Sequence, residues 1–301
     1  MTKQLTIGMI GIDTSHCTGF AELLNLREHP YHVPGGRLAI VYKGGSPDLD
    51  ISRDRVEGYT QQLQEQFAVE VAERIEEVAE RADAIMLTSV DGRVHPQQFA
   101  AIAKYGKPVF IDKPFAVSSA DARYMIDLAK EHGIPMFSSS SLRFARCFEG
   151  IGDSHELGEI FGVDCYGPMA LQPSMPGLFW YGIHIVEMMM TVLGPDCVAV
   201  TAMTNEDHDI VTGEWSDGRF GTMRGNRKGN YRYGCMVHRE KGSQHLDVSA
   251  DTKPYYAGLI EQIMAVFQSG VAPIDATAMM GVVRFIEAAN ESRATGKRVL
   301  L

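Results

Sequence analysis

Two charged residues directly follow an apolar run, where hydrophobic packing does not explain their presence. Asp112 and Lys113 come directly after the apolar residues 108–111, and Pro114 follows them. A lysine at the end of a buried strand is a candidate general acid or base, because burial lowers the pKa of its ammonium group toward neutrality. The plainer alternative is an Asp–Lys ion pair that only closes a turn.

The segment after the first apolar run combines one glycine with four polar residues: Gly11, Asp13, Thr14, Ser15 and His16. A dinucleotide site typically has three glycines here, so that the pyrophosphate can approach the backbone and the helix can pack on its strand. Only Gly11 matches, and Asp13 and His16 take the other two places. The segment is either a nucleotide or substrate site of unusual shape or a simple cap of the following helix.

Lys43 follows the second apolar run. In dinucleotide-binding domains an acidic residue at this place holds the ribose hydroxyls, whereas a lysine can meet the 2′-phosphate of NADP. Lys43 therefore favours NADP over NAD. A solvated surface lysine is the alternative.

Short apolar runs alternate with longer amphipathic runs through the first 140 residues. The strands are predicted over 5–12, 37–42, 84–90, 108–111 and 135–138, and the helices over 54–67, 74–81, 96–105 and 119–132. This alternation predicts a Rossmann-type parallel sheet with helices on both faces. Ligands of such sheets bind outside the carboxyl ends of the strands, where the residues above are placed.

The pattern changes near residue 142. The later strands are predicted over 160–166, 198–204, 210–215, 219–224, 231–239 and 244–248, and the helices over 179–193, 255–268 and 276–295. We therefore predict an α/β chain with a Rossmann-like nucleotide-binding domain over 1–142 and an α+β domain with an open, mostly antiparallel sheet over 143–301. The four serines of residues 138–141 are interpreted as a linker, with hydroxyls for a polar ligand near Arg143 as the alternative.

Composition excludes several function classes. The chain has 301 residues, with 28 Lys and Arg against 38 Asp and Glu and a net charge of −10, which argues against a nucleic-acid partner. No apolar run approaches the roughly 20 residues of a membrane helix, so no membrane partner is expected. The five cysteines are scattered and form no C-x-x-C pair, as in free thiols of a cytoplasmic protein. No metal-ligand spacing occurs, so we expect no metal.

In their order and spacing, these motifs resemble the glucose–fructose oxidoreductase / inositol dehydrogenase / rhizopine catabolism (Gfo/Idh/MocA) family over nearly the whole chain. The resemblance rests on Asp112-Lys113-Pro114 after a strand, the segment from Thr88 to His95-Pro96, residues 122–135 (ARYMIDLAKEHGIP), Arg143, and Gly182-Ile183-His184. It implies a Rossmann domain followed by an α+β domain whose open sheet serves in oligomer contacts. It also implies NAD(P)-linked oxidation or reduction of a sugar, polyol or related carbonyl compound.

The resemblance further implies roles for individual residues. Lys113 takes the place of the catalytic lysine and His184 that of the acid/base histidine, with a buried structural histidine as the alternative for His184. The implied cofactor residues are Gly11, Asp13, Thr14, Ser15, His16, Lys43, Ser89, His95 and Asp112, and the implied substrate residues are Arg143, Trp180 and Tyr181. Trp180 stands where the family usually has an Asp, and it either offers an aromatic platform to a sugar or fills the pocket.

The leading hypothesis is an oxidoreductase that uses NAD or NADP on a polyhydroxylated small molecule, as a cytoplasmic homo-oligomer, dimer or tetramer. Two alternatives stay open. One is a regulatory or binding protein that keeps the fold without redox turnover, and the other is a non-redox lyase or glycosidase that uses the same pocket.

Overall fold

Two sheets organise the chain, each within its own compact unit. The computed structural model describes residues 4–153 and 156–301. One unit comprises residues 4–116, 120–139 and 256–276, and the other comprises the described parts of 117–119, 140–255 and 277–301. Neither unit is continuous in sequence, because the segment 256–276 belongs with the first.

The first sheet is six-stranded, and all its strand pairs are parallel. Its order, β3-β2-β1-β4-β5-β6, is the doubly wound order in which strand succession reverses beside β1. Its strands are β1 (Leu5–Ile10), β2 (Gly36–Tyr42), β3 (Glu70–Ala72), β4 (Ala84–Leu87), β5 (Val109–Asp112) and β6 (Met136–Ser139). The predicted Rossmann-type sheet is thereby confirmed, and β3 is an addition that sequence periodicity did not indicate.

Helices connect the parallel strands and close the chain. They are α1 (His16–Asn25), α2 (Asp50–Arg53), α3 (Val56–Phe67), α4 (Ile75–Arg81), α5 (His95–Ala103), α6 (Ser119–Glu131), α7 (Gly182–Leu193), α8 (Tyr255–Ser269) and α9 (Ala276–Thr295). Every residue of β4 and β5 is buried, as expected for central strands of a parallel sheet covered on both faces. In the described part of the chain, no helix has both the length and the apolarity needed to cross a bilayer.

Helix α8 comes from the C-terminal part of the sequence but completes the first unit. Its buried residues include Leu259, Ile260 and Ile263. Met264 of the same helix lies so close to Gly36 of β2 that a side chain at Gly36 would collide with it. The glycine therefore lets α8 pack directly on the first residue of β2.

The second sheet has seven strands in the order β12-β11-β7-β10-β9-β8-β13, and only β7 and β10 pair in parallel. The strands are β7 (Ile160–Pro168), β8 (Cys197–Thr204), β9 (His208–Trp215), β10 (Phe220–Asn226), β11 (Gly234–Arg239), β12 (Gly242–Leu246) and β13 (Val299–Leu300). This confirms the predicted mostly antiparallel sheet. Burial alternates strictly along β9, so one face is covered and the other is accessible to solvent.

The four consecutive serines carry the chain from the first unit to the second, because the units divide between Ser139 and Ser140. Ser138 and Ser139 end β6, and Ser140 caps a short 3-10 turn over Ser141–Phe144 by accepting the backbone N–H of Leu142. All four serines are buried. The linker interpretation agrees with this division, but the linker is ordered and buried, which composition alone does not reveal.

Candidate active site

Polar side chains collect at the carboxyl edge of the parallel sheet. They come from the segments that follow β1, β2, β4 and β5, and their buried members are Asp13, His16, Ser46, Ser52, Thr88, Ser89, Asp91, Asp112 and Lys113. Charged and polar groups are rarely buried unless they are paired or functional. This edge is therefore the candidate site of the first unit.

Lys113 directly follows β5 and is only 9% exposed. Burial lowers the pKa of its ammonium group, while the carboxylates of Asp112 and Asp13 act in the opposite direction. The Asp112 carboxylate accepts the backbone N–H of Lys113 at 2.8 Å. The lysine is thus held at the end of its strand, with its charged form destabilised by burial, which suits a group that exchanges protons.

A buried hydrogen bond between Asp112 and His16 lies beside Lys113. Oδ2 of Asp112 bonds to Nδ1 of His16, the first residue of α1. Burial alone would raise the pKa of Asp112, yet His16 and Lys113 hold it below its ordinary value. The His16 ring packs against the rings of Phe20 and Tyr256, with centroids 5.3 and 4.8 Å away. The structure thus brings two predicted cofactor residues, His16 and Asp112, into a hydrogen bond that connects α1 to β5.

Asp13 turns into the protein, away from the position that a phosphate would take. Its Oδ2 accepts the Ser52 hydroxyl at 2.6 Å, and its Oδ1 accepts the backbone N–H of Val90 at 2.9 Å. Burial raises the pKa of the Asp13 carboxyl. Asp13 therefore joins the segments after β1, β2 and β4, and it does not present a carboxylate to the entrance of α1.

The entrance of α1 fits a pyrophosphate. Gly11 has a φ of +85°, and a side chain there would collide with Ser89, so two segments approach each other closely at this point. Ser15 is the N-terminal cap residue and is exposed, and Thr14 precedes it. The first backbone N–H groups of a helix attract anions. The residues present can therefore hold a dinucleotide, although two of the usual three glycines are replaced.

Ser89 and His95 brace the segment after β4. The Ser89 hydroxyl donates to the Gln98 side chain at 2.9 Å. The fully buried His95 ring lies 2.9 Å from the Ser89 carbonyl and 3.2 Å from the Phe115 carbonyl, and burial lowers its pKa. His95 thereby ties the β4 segment to the turn just after Lys113, so it supports the site.

Lys43 is engaged in an exposed ion pair. Its Nζ lies 2.8 Å from both carboxylate oxygens of Glu57 in α3. Nearby, the Ser46 hydroxyl donates to Asp91 at 2.6 Å, and Arg93 and Ser46 together hold the pKa of Asp91 below its ordinary value against the effect of burial. Sequence reasoning missed Ser46, Ser52 and Asp91, because they act through long-range pairing and belong to no motif.

In the second unit, the predicted histidine stands in an aromatic and polar setting. His184 lies in the first turn of α7, and its Nδ1 is 2.7 Å from the Ser140 hydroxyl oxygen. The rings of Tyr181 and Tyr233 meet it edge to face, with centroids 5.7 and 5.9 Å away. Trp180 is buried beside Tyr181, with centroids 6.2 Å apart. The structure therefore brings Trp180, Tyr181 and His184 together.

Arg143 joins the same group through Glu187. Its Nε and Nη2 donate to one oxygen of the buried Glu187 carboxylate at 2.8 and 2.7 Å. This pairing gives the predicted substrate arginine a structural partner inside the unit. Across residues 4–153 and 156–301, no three His, Cys, Asp or Glu side chains are grouped as metal ligands.

Comparisons with known proteins identify proteins that are similar to this chain. Residues 48–139 match the family model GFO_IDH_MocA, described as an oxidoreductase family with an NAD-binding Rossmann fold. The predicted dinucleotide-binding fold is thereby confirmed. The chain is 25% identical over 211 residues to the myo-inositol 2-dehydrogenase of Thermotoga maritima, which is 61% of each chain. It is 35% identical over 106 residues to the Escherichia coli oxidoreductase YhhX, which is 31% of each.

Solved structures share the whole fold. The scyllo-inositol dehydrogenase of Lactobacillus casei, determined with bound NAD(H) and scyllo-inositol, superimposes with a TM-score of 0.78 at 14% identity and covers 99% of both chains. At that identity the likeness shows the fold alone. The sequence alignments span between 31% and 61% of the length of the curated relatives.

Proposed function

We propose that the chain is a member of the Gfo/Idh/MocA family, whose model matches residues 48–139, and that it is an NAD-dependent dehydrogenase or reductase of a polyol, sugar or related carbonyl compound. The observation that carries this proposal is the buried Lys113, which follows β5 at the carboxyl edge of the sheet and has a lowered pKa. Relatives named as inositol dehydrogenases support a polyol as the substrate class.

The cofactor residues divide into those that contact the dinucleotide and those that support them. Gly11, Thr14 and Ser15 at the entrance of α1 receive the pyrophosphate, while Asp13 and His16 hold the surrounding segments in place. Lys43 alone favours NADP, but its ion pair with Glu57 reverses that preference toward NAD, because a 2′-phosphate at Lys43 would also meet the Glu57 carboxylate.

The chain's own residues handle the proton. When bound, NAD supplies a hydride acceptor for the carbinol carbon of the substrate. Neutral Lys113 takes the hydroxyl proton as the carbinol becomes a carbonyl, and in the reverse direction the ammonium returns it. We assign His184 an acid/base role, as the family resemblance implies. Trp180 and Tyr181 offer aromatic faces to the apolar side of a polyol ring.

Replacing Lys113 tests the proposal. We expect Lys113→Ala to lower kcat at least about 10³-fold with inositols or sugars, because removing a general base costs up to about 10⁴-fold. The rate is followed through the absorbance of the reduced nicotinamide. Lys130→Ala, on the exposed side of α6, is the matched control and should keep wild-type turnover.

Thermal unfolding separates the redox proposal from its alternatives. NAD at a hundredfold over Kd should stabilise the wild type by about 2.7 kcal/mol. Lys113→Ala should keep most of this effect, because the lysine acts on the substrate. A wild-type protein that neither gains stability with NAD nor reduces it would contradict the proposal. Stabilisation by NAD without any redox turnover would indicate a non-redox enzyme.

A further inference from the structure

The carboxylate that a ribose-binding site needs is absent from the end of β2, but α3 supplies one beside it. Lys43 follows β2, where dinucleotide-binding domains place an acidic residue for the ribose hydroxyls. Nζ of Lys43 donates to both Oε1 and Oε2 of Glu57 at 2.8 Å. Glu57 lies in the first turn of α3, where the helix dipole favours a negative charge. A neighbouring element thus brings an acidic group to a strand end that is itself basic.

The backbone places this ion pair next to the entrance of α1. The Gly11 N–H donates to the Tyr42 carbonyl at 3.0 Å, and the next N–H, that of Ile12, donates to the carbonyl of Lys43 at 3.0 Å. Gly44 has a φ of +61°, and a Cβ on it would lie 3.0 Å from the Cα of Gly11. The chain therefore turns against the pyrophosphate entrance directly after Lys43. The β2 side of that entrance is where this fold places the adenosine ribose.

The Glu57 carboxylate can accept further hydrogen bonds. Each carboxylate oxygen has two lone pairs, and Lys43 uses one on each oxygen. Within residues 4–153 and 156–301, this carboxylate has no other hydrogen-bond or ion-pair partner. The Glu57 side chain is 79% exposed, so a ligand can reach the remaining lone pairs. The vicinal 2′- and 3′-hydroxyls of a ribose can donate to both oxygens at once.

We propose that Glu57 binds the adenosine ribose and selects NAD over NADP, with Lys43 holding its carboxylate in place. This assignment rests on the proposed function, because it requires a nicotinamide dinucleotide as the ligand. The lysine then orients an acidic residue and does not receive a phosphate. In NADP the 2′-hydroxyl is esterified, so it cannot donate to Glu57, and its phosphate is repelled by the carboxylate.

The charges around the pair also disfavour a second phosphate. Residues 43–57 contain four carboxylates and three basic side chains. Arg53 lies 2.9 Å from Asp50 and 3.1 Å from Asp54. Arg55 is thus the one basic residue of this segment without an ion pair in the described part of the chain. The segment keeps a net negative charge, which opposes the approach of an additional anion.

Isothermal titration calorimetry with NAD and with NADP tests the assignment without any substrate. We expect the wild type to bind NAD about 10-fold more tightly than NADP, because like charges are brought together only in the NADP complex. Glu57→Gln should weaken NAD binding about 10-fold, the cost of one hydrogen bond to a charged group, and strengthen NADP binding by a similar factor through the released Lys43. Glu65→Gln removes the same charge from another exposed position of α3 and should bind both nucleotides as the wild type does.

Replacing the lysine shows which residue makes the selection. Lys43→Met should still prefer NAD, because Glu57 continues to repel the 2′-phosphate. The double variant Lys43→Met and Glu57→Gln should lose the gain in NADP affinity that Glu57→Gln alone shows. A wild type that prefers NADP, or a gain in NADP affinity that persists without Lys43, would overturn the assigned roles.

Binding and turnover together separate this inference from the proposed function. If the wild type binds NAD and oxidises polyols but Glu57→Gln binds like Glu65→Gln, the role of Glu57 is wrong and the function stands. If NAD is selected through Glu57 but no polyol is oxidised, the role of Glu57 stands and the redox function fails. A wild type that binds neither nucleotide would contradict both.

Discussion

The chemistry proposed for the first unit depends on how the ammonium group of Lys113 responds to burial and to a neighbouring carboxylate. Burial lowers the pKa of Lys113, and Asp112 partly offsets that effect. A group with a lowered pKa loses its proton at lower pH than a free lysine. Neutral Lys113, the form that accepts a proton, is therefore present over more of the physiological range than an exposed lysine would allow.

The sign of this effect predicts a pH profile. For polyol oxidation, kcat/KM should rise with pH as Lys113 loses its proton, and the rising limb should lie below the pH at which a free lysine titrates. Asp112→Asn removes the carboxylate that favours the ammonium form, so the limb should move to still lower pH. Rates measured across the pH range check both expectations.

The control for this experiment is Asp127→Asn, on the exposed face of α6, which should leave the limb in place. Because Asp112 also pairs with His16, the melting temperature of Asp112→Asn is measured alongside. A limb that moves to higher pH in a folded Asp112→Asn protein would contradict the proton-accepting role of Lys113.

Residues of the candidate site could be predicted where their chemistry conflicts with their position in the sequence. Asp112 and Lys113 stood out because charge directly follows an apolar strand, and the structure buries both. The support around them was hidden, because Ser52 meets Asp13 and Ser46 meets Asp91 across 39 and 45 residues of sequence. Pairings over such distances leave no local pattern.

At the scale of elements, hydrophobic periodicity predicted those strands whose burial pattern is visible in the sequence. Strands such as β5, buried on both faces, are continuous apolar runs, and β9 alternates because one of its faces is exposed. The strands β3 and β13 were not predicted, because two or three residues contain no period. Their pairing comes from the strand beside them, β2 for β3 and β8 for β13.

The second sheet is joined to the last helix by a buried ion network. Asp209 in β9 is fully buried and bonds to Arg227, which follows β10, and to Arg293 in α9 at 2.6 Å. Burial would raise the pKa of Asp209, yet the two arginines and a Thr204 hydrogen bond hold it below its ordinary value. We expect Asp209→Asn to lower the free energy of unfolding by about 3 kcal/mol, because the fully buried carboxylate is lost and two half-buried guanidinium groups lose their charged partner.

This network also predicts an acid dependence. A carboxylate whose folded pKa is lowered stabilises the fold above its ordinary pKa, and that stability is lost as the pH falls through the lowered value. The difference in unfolding free energy between wild type and Asp209→Asn, from urea titrations, should therefore shrink in acid. Asp207→Asn, which breaks only an exposed pair with Lys228, is the control and should cost no more than about 1 kcal/mol. Equal losses in the two variants would show that burial of the network does not matter.

At the scale of the whole molecule, the sequence predicted two sheets but not how the chain shares its segments between the two units. Helix α8 follows six of the seven strands of the second sheet along the chain, yet it packs on β2 of the first. An amphipathic helix shows which of its faces is apolar and not which sheet that face will cover. That assignment is a property of tertiary packing.

The second sheet has one face that no part of the described chain covers fully. The covered face packs on Met189 and Leu193 of α7 through Gly221, and on Phe285 of α9 through Gly213. On the opposite face, Met203 and Phe220 are 66% and 54% exposed. Large apolar side chains on an open sheet face are typical of protein–protein interfaces.

We therefore expect the proposed homo-oligomer to assemble through this face. The double substitution Met203→Asp and Phe220→Asp should shift the protein to monomers in light scattering coupled to size-exclusion chromatography, because it places four carboxylates across each two-fold symmetric contact. Val271→Asp, at another strongly exposed apolar position in the first unit, should leave the mass unchanged. A wild-type protein that is already monomeric at micromolar concentration would refute the assembly. If the double variant keeps the oligomeric mass of the wild type, the interface lies on another surface of the protein.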